Sequence, residues 1–295
     1  MDNRQLRAFV ALAELGRYHL AAERLCITQP ALSKQIQAIE LQLGTRLFER
    51  GRQGAQLTAN GEALFPRARE LLAQHEQFHQ YQLQVVKGEV GRLALGFGLS
   101  SFHLAPQLVA AFRQRFPQVV VGLEDLPSDR QCQLLLAGKL QAGFVRLPVP
   151  ASLQAQPLLN DRLVLAAPRT MALQAEDLLA DFHLYPLLQL EPSRGRGLSE
   201  QALRFIAVQG LRANVVQQAE DIQTLLALVA AGIGVALLPH SITFIAPAGV
   251  DILPLNGELT QWQVGLAWDP QRPDALRDNF VQGVINSPPA SQWSV

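Results

Sequence analysis

Thr28-Gln29-Pro30-Ala31-Leu32-Ser33-Lys34-Gln35-Ile36-Gln37-Ala38-Ile39-Glu40-Leu41-Gln42-Leu43-Gly44 is the stretch on which the reading of this chain turns. It predicts a helix with two separable faces. Leu32, Ile36, Ile39 and Leu43 step by four, three and four residues, so they are expected on one face turned to a core. Pro30, Ser33, Lys34 and Gln37 take the opposite side, a surface of small, hydroxyl, cationic and amide groups. Such a surface suits the major groove of DNA, where amides pair with adenine, a lysine donates to guanine, and a short serine lets the backbone approach. Gln29 adds an amide beside the positive end of the helix dipole, which favours phosphate. On spacing alone, an ordinary helix with a solvated outer face reads equally well.

The flanking sequence weighs against that plain reading. Upstream, Leu6, Phe9, Val10 and Ala13 make a helical stripe ended by Gly16. A second short helix follows with Ala21, Ala22 and Leu25, and Cys26-Ile27-Thr28 turns the chain into the third. Downstream, residues 46–58 place a glycine-rich turn between short apolar ends, the pattern of a β-hairpin with Arg50 and Arg52 near its tip. Basic residues on such a wing supply phosphate or minor-groove contacts that fix register. The first 58 residues hold eight basic side chains against five acidic ones, while the whole chain of 295 balances 25 against 25. Binding to nucleic acid must therefore be local, because bulk charge cannot drive it.

From Thr58 to about Lys87 the pattern is one long helix, with Thr58 as its N-cap and Gly88 as its stop. Leu64, Ala68, Leu71, His75, Phe78, Gln82 and Val85 alternate four- and three-residue steps, the a/d seam of a coiled coil with two polar interruptions. That seam calls for a second helix. Pro66 removes a donor within the helix and is expected to kink or loosen its start.

After Gly91 the pattern changes to short β-like runs, Arg92–Phe97, Val119–Leu123, Ala142–Arg146, Leu163–Ala166, Val235–Leu238 and Val264–Trp268. Helical patterns lie between them, clearest at Leu104–Phe116, Arg130–Leu136, Leu198–Val208 and Ile222–Ala231. Alternation of this kind predicts an α/β unit with largely parallel strands. The residues from Ser287 to Ser291 read as a frayed tail.

Taken together, Ala21-Ala22-Glu23-Arg24-Leu25, Thr28-Gln29-Pro30-Ala31-Leu32-Ser33-Lys34-Gln35-Ile36, Ile39-Glu40, Leu43-Gly44, Leu47-Phe48-Glu49-Arg50 and Leu57-Thr58 with Gly61 resemble the winged helix-turn-helix of LysR-type transcriptional regulators. The resemblance covers essentially the whole chain and is strongest in the first 65 residues. It implies a winged helix-turn-helix at 1–58, a linker helix that pairs subunits at 59–88, and an effector-binding domain at 89–295. The last resembles periplasmic binding proteins, with subdomain I at about 89–160 and 265–295 and subdomain II at about 161–264. It also implies dimers that commonly associate into tetramers on promoter DNA, and a small-molecule co-inducer in the cleft. Asp221-Ile222-Gln223-Thr224, Val229 and Gly232-Ile233-Gly234-Val235-Ala236-Leu237-Leu238-Pro239 look like the family's second-subdomain helix and strand, with Asp221 the N-cap and Gly232 the stop. One departure is Gln141, where the family usually has an aspartate, which puts a local hydrogen bond in question.

Candidates for the effector site follow from the strand ends. Gly96-Phe97-Gly98-Leu99-Ser100-Ser101-Phe102 joins a strand to a helix, where backbone N–H groups and the hydroxyls of Ser100 and Ser101 converge. Ser128 follows the second strand, and for each serine a simple helix cap is the alternative. Arg146 ends a strand and can meet a carboxylate or a surface partner. Arg194-Gly195-Arg196-Gly197 reads as a flexible basic loop before a helix, suited to an anion, although for each arginine taken singly a solvated loop is the better reading. Together these point to a small carboxylate effector, with Phe97 and Phe102 favouring an aromatic one.

Other classes are set aside on the same residues. The two cysteines, Cys26 and Cys132, are far apart, so neither a zinc knuckle nor a disulfide framework is expected. Cys132 reads as a buried inert thiol, and Cys26 has no resolving partner nearby in sequence. His75 and His79 are spaced as metal ligands can be but lack further donors, so no metal and no cofactor are expected. Gly96-x-Gly98 lacks its third glycine, which argues against a dinucleotide. No GxSxG, P-loop or HExxH supports an enzyme. A solute-binding receptor would suit the second half but not the first, and the first residues lack a signal peptide's apolar core. The expected setting is a reducing cytoplasm without membrane association, and the expected partners are double-stranded promoter DNA, an anionic effector and further copies of the chain.

Overall fold

The computed structural model describes residues 1–51, 54–172, 174, 179–257 and 259–286, and of residues 50 and 194–196 only the backbone. The chain divides into two compact units, Met1–Gln84 and Val85–Val295. Arg52 and the 287–291 tail lie outside the described residues.

In the first unit, α1 (Asn3–Leu15) starts at Asp2, whose carboxylate accepts from the Gln5 amide while the Gln5 side chain accepts from the Asp2 amide. This reciprocal cap satisfies donors that a helix start otherwise leaves open. After α2 (Tyr18–Arg24), Cys26 takes φ +55° to turn the chain into α3 (Gln29–Leu43), where Thr28 accepts from the Ala31 amide. Strands β1 (Phe48–Gly51) and β2 (Gly54–Leu57) form the expected antiparallel hairpin, and α4 (Ala59–Val86) follows with Thr58 accepting from the Gly61 amide. The helix continues through Pro66.

Phe9, Leu12, Leu32, Ile36, Ile39 and Leu47 are essentially solvent-free and form one core, with Phe48 edge-on to Phe9 at 5.6 Å. Burying each such side chain contributes about 1.5–3 kcal/mol. Leu43 corrects the sequence reading: it is 46% exposed, because it lies in the last turn of α3 after the helix has left the bundle.

The second unit runs β3 (Gly91–Phe97), α5 (Leu104–Arg115), β4 (Val119–Asp125), α6 (Ser128–Leu136), β5 (Ala142–Arg146), β6 (Gln154–Pro168), β7 (Pro186–Leu190), α7 (Pro192–Val208), β8 (Asn214–Ala219), α8 (Ile222–Ala230), β9 (Val235–Pro239), β10 (Val250–Pro254), β11 (Gln261–Trp268) and α9 (Ala275–Ile285). Strand order is β4-β3-β5-β11-β6-β9-β7-β8, with β10 beside β6. The expectation of largely parallel strands is corrected here. Parallel pairs occur within each half, but β11 is antiparallel to β5 and β6, and β6 is antiparallel to β9 and β10. The reason is β6, whose first part pairs with β11 and whose second part pairs with β9 and β10, so one strand passes from one half to the other.

Each half has its own core. Phe112 and Phe144 stand edge-on to Phe280 at 5.3 and 6.4 Å in the first, while Leu163, Leu165, Phe205 and Leu237 anchor the second. The departure at Gln141 leaves the local bond in place: the Ala94 amide donates to Gln141 Oε1 at 2.7 Å. Gly88, with φ +67°, ends the long helix, and the Asn279 amide of α9 donates to the carbonyls of Lys87 and Gly88 at 2.8 and 3.1 Å.

Candidate nucleic-acid interface and ligand cleft

Gln29, Pro30, Lys34 and Gln37 are exposed on α3 and Ser33 is half-buried among them, opposite the buried Leu32, Ile36 and Ile39. The helix therefore offers a polar face about two turns long, with Lys34 as its cation. Arg50 lies in β1 opposite Ala55, and its side chain, like all of Arg52, is outside the described residues. Glu40 was not singled out by the sequence, yet its carboxylate accepts from the amides of Leu47 and Phe48 at 2.8 and 3.1 Å. It thereby ties the end of α3 to the start of the hairpin. Only its place inside the quoted motif hinted at this.

On α4, Leu64, Leu71, Phe78 and Val85 are 38%, 55%, 59% and 48% exposed at seven-residue intervals. Gln82 and His75 are also exposed. Ala68 departs from the expected seam: it is buried in the core of its own unit, where Phe65 and Leu72 pack beside it.

In the second unit a cavity of about 520 Å³ opens at the strand ends. Ser100, Ser101, Phe102, Ser128 and Arg146 all line it. Ser193 and Gly197 line it too, and between them the backbone of Arg194, Gly195 and Arg196 is helical, which corrects the flexible loop read from the sequence. Pro192 at the helix's first position starts α7 earlier than the glycines suggest. The side chains of 194–196 lie outside the described residues.

Arg146 is the hub. Its guanidinium lies 3.9 Å over the Trp262 ring and donates to the Gly197 carbonyl at 3.0 Å and to Gln201 Oε1 at 3.4 Å. Burial lowers its pKa to about 10, with the charge of Asp161 opposing the shift, so it stays cationic at neutral pH. Its backbone N–H donates to Ser128 Oγ at 3.0 Å, and Trp262 Nε1 donates to Ser100 Oγ at 3.4 Å. Ser101 is different: its buried hydroxyl donates to the Gly98 carbonyl at 2.9 Å and closes its own turn. The Phe102 ring sits 6.2 Å from that of Phe97. Five carboxylates, Asp125, Asp129, Glu200, Glu220 and Asp221, also line the cavity, and among the described lining residues Arg146 is the one Lys or Arg. Asp221 caps α8, accepting from the Thr224 amide at 2.7 Å.

Two supporting residues escaped the sequence. Trp262 carries both Arg146 and Ser100, and nothing local marked it. Gln131, fully buried, donates to the Leu126 carbonyl at 2.8 Å and fixes the turn before Ser128. Gly96 and Gly143 leave the room it occupies, and these glycines were the available signal. Cys26 is exposed and Cys132 half-buried, with its thiol pKa raised by burial. Among the described residues no group of His, Cys, Asp or Glu is placed to hold a metal, and no helix is long and apolar enough to cross a membrane.

A winged helix-turn-helix, a long helix and a two-part α/β unit with a cleft define a ligand-responsive DNA-binding regulator. The chain belongs to the LysR family: residues 3–62 match the bacterial regulatory helix-turn-helix protein, lysR family, and residues 87–285 match the LysR substrate binding domain. It is 33% identical over 273 residues to the transcriptional regulator IlvR of Caulobacter vibrioides, spanning 91% of this chain and 92% of that protein. It is 36% identical over 252 residues to the regulator TfdS of Cupriavidus pinatubonensis, spanning 83% and 84%. Among solved structures, full-length CbnR complexed with its target DNA matches with a TM-score of 0.78 at 28% identity, over 97% of this chain and 99% of that one. Regulators of this family bind promoter DNA and small-molecule effectors and form oligomers.

Proposed function

We propose that this chain regulates transcription in the cytoplasm by binding promoter DNA as a dimer or tetramer, under control of a small carboxylate held in the cleft of the second unit. The observation that carries the DNA assignment is the polar face of α3, with Gln29, Pro30, Ser33, Lys34 and Gln37 turned outward from a dry core face. Arg50 and Arg52 of the hairpin hold the flanking backbone. The exposed stripe Leu64, Leu71, Phe78 and Val85 pairs subunits, because an apolar row at seven-residue spacing is the pattern that packs against a second helix. This reading divides the chain into 1–58, 59–88 and 89–295.

The effector assignment rests on Arg146 with Ser100, Ser101, Phe102 and Ser128 around one cavity, and extends to Arg194, Gly195 and Arg196, which lie in sequence between the lining residues Ser193 and Gly197. An effector acts only by binding one arrangement of the oligomer better than another, and couplings of about 1–3 kcal/mol are typical. The test is footprinting on the chain's own upstream DNA at fixed salt, with and without a panel of small carboxylic acids. A protected site whose extent changes with one acid is expected. No protection at any salt overturns the regulator assignment, and protection indifferent to every acid overturns the carboxylate.

A further inference from the structure

Two of the four serines that line the cavity, Ser100 and Ser128, are wired alike. A serine hydroxyl has one hydrogen to give and two lone pairs to receive with. Ser128 Oγ receives the backbone N–H of Arg146 at 3.0 Å, and Ser100 Oγ receives the indole N–H of Trp262 at 3.4 Å. An incoming N–H occupies one lone pair, so the hydroxyl hydrogen points away from that donor and is left for another acceptor, and both residues line the cavity. Ser101 supplies the contrast, since its hydrogen is engaged with the Gly98 carbonyl. Trp262 also supports the guanidinium of Arg146 from below at 3.9 Å, and it is itself only 8% exposed on β11. One buried indole thus touches both a hydroxyl and the cation of the cleft.

We infer that Trp262 is a positioning residue that sets the cleft's preference for a carboxylate over the matching carboxamide, by holding Ser100 as a donor towards the ligand and Arg146 flat beneath it. The inference rests on the carboxylate reading of the cleft. A carboxylate accepts at both oxygens and suits two hydroxyl hydrogens beside a guanidinium, whereas an amide brings N–H groups that meet those donors head on.

The test uses the full chain with benzoate against benzamide and succinate against succinamide, measured by titration calorimetry. Trp262→Phe keeps an aromatic ring at that position and removes the indole N–H together with part of the bicycle. Carboxylate affinity is expected to fall about tenfold, and amide affinity to change less than about twofold, the size of one hydrogen bond to a charged group. If Trp262 acts through Ser100, the double variant with Ser100→Ala binds carboxylate no more weakly than Ser100→Ala alone. A packing role would weaken acid and amide equally, and that result, or full additivity in the double variant, overturns the Trp262 assignment while leaving the carboxylate reading in place. Failure of the unmodified chain to bind either acid overturns both.

Discussion

Asn3 on α1 and His75 on α4 meet side chain to side chain, with Nδ2 of the one 3.1 Å from Nε2 of the other. The pair bridges the first and long helices within one unit, so His75 has a use that needs no second copy. With Ala68 also turned to its own core, the surface left for pairing is the row at Leu64, Leu71, Phe78 and Val85. Phe78→Asp is therefore expected to reduce the oligomer to a lower mass in light scattering. His75→Ala should leave the mass unchanged and cost under about 1 kcal/mol of stability, as an exposed hydrogen bond does. Retained mass in the Phe78 variant would dismiss the seam.

The two faces of α3 predict opposite phenotypes. Ile36, 1% exposed, loses about 2–5 kcal/mol of stability on change to alanine, read by chemical denaturation. Lys34, on the exposed face, is expected to leave stability within about 0.5 kcal/mol. If Lys34 reaches phosphate rather than guanine, its loss should also make the slope of log affinity against log salt less negative by about 0.9. Ser33→Ala with Lys34→Ala should abolish specific promoter binding with dimer mass and ligand binding intact, and retained specific binding would sink the recognition-helix assignment.

Gly88 and Gly44 separate two costs of adding a methyl group. Both have positive φ, +67° and +68°, where a side chain costs roughly 1–2 kcal/mol. At Gly44 nothing lies within 4 Å of the added carbon, whereas at Gly88 it would come 2.5 Å from the Ala275 carbonyl carbon and the Leu276 nitrogen. Gly88→Ala should thus destabilise by clearly more than Gly44→Ala in the same denaturation series. Equal losses would mean that the packing of the junction on α9 is immaterial.

His240 gives the acid limb a defined sign. Its pKa is lowered, first by burial and then by the charge of Arg162, with Asp161 opposing. Folding therefore favours the neutral ring, while the unfolded chain takes up a proton near pH 6.5. The group's contribution is full above about 6.5 and is lost as pH falls from there towards the lower folded value. Denaturation midpoints at pH 7.5 and 5.5 should differ less in His240→Gln than in the unmodified chain. An unaltered difference would assign the acid sensitivity to other groups.

What the sequence disclosed was local chemistry. Caps and stops at Thr58, Gly88, Asp221 and Gly232, the hairpin, and the split faces of α3 depend on neighbours within a few residues and were readable there. Leu43 and Ala68 were misplaced because a helical period fixes which residues share a face, not which neighbour each end of that face meets. The long strand β6 was read as Leu163–Ala166 alone, since Asn160-Asp161-Arg162 interrupts its apolar run; Asp161 is buried there with its carboxylate accepting from the Ser241 hydroxyl at 3.0 Å and the Arg162 amide at 2.8 Å. In the cleft, Ser100, Ser128 and Arg146 stood at strand ends where ligand sites are looked for. Trp262 reaches them from a strand far along the chain, and no spacing rule carries that information.

The route of the chain through its sheet has a consequence for synthesis. Val264 of β11 lies opposite Arg146 of β5, and Leu266 and Phe280 complete the core around Leu93, Leu95 and Phe144. Those early strands therefore emerge with a gap of about 120 residues before their cover is made, roughly ten seconds at ordinary elongation rates of about 5–20 residues per second. The inserted half, from the latter part of β6 to β10, is contiguous and draws only Trp262 and Val264 of its buried core from β11. Chains stalled before residue 261 should be cut by protease within β3–β5 and spared between residues 163 and 254, and the reverse pattern would refute this order. The nascent chain is thus expected to hold β3, β4 and β5 open until β11 and α9 are made, and in that interval they would offer chaperones an apolar surface.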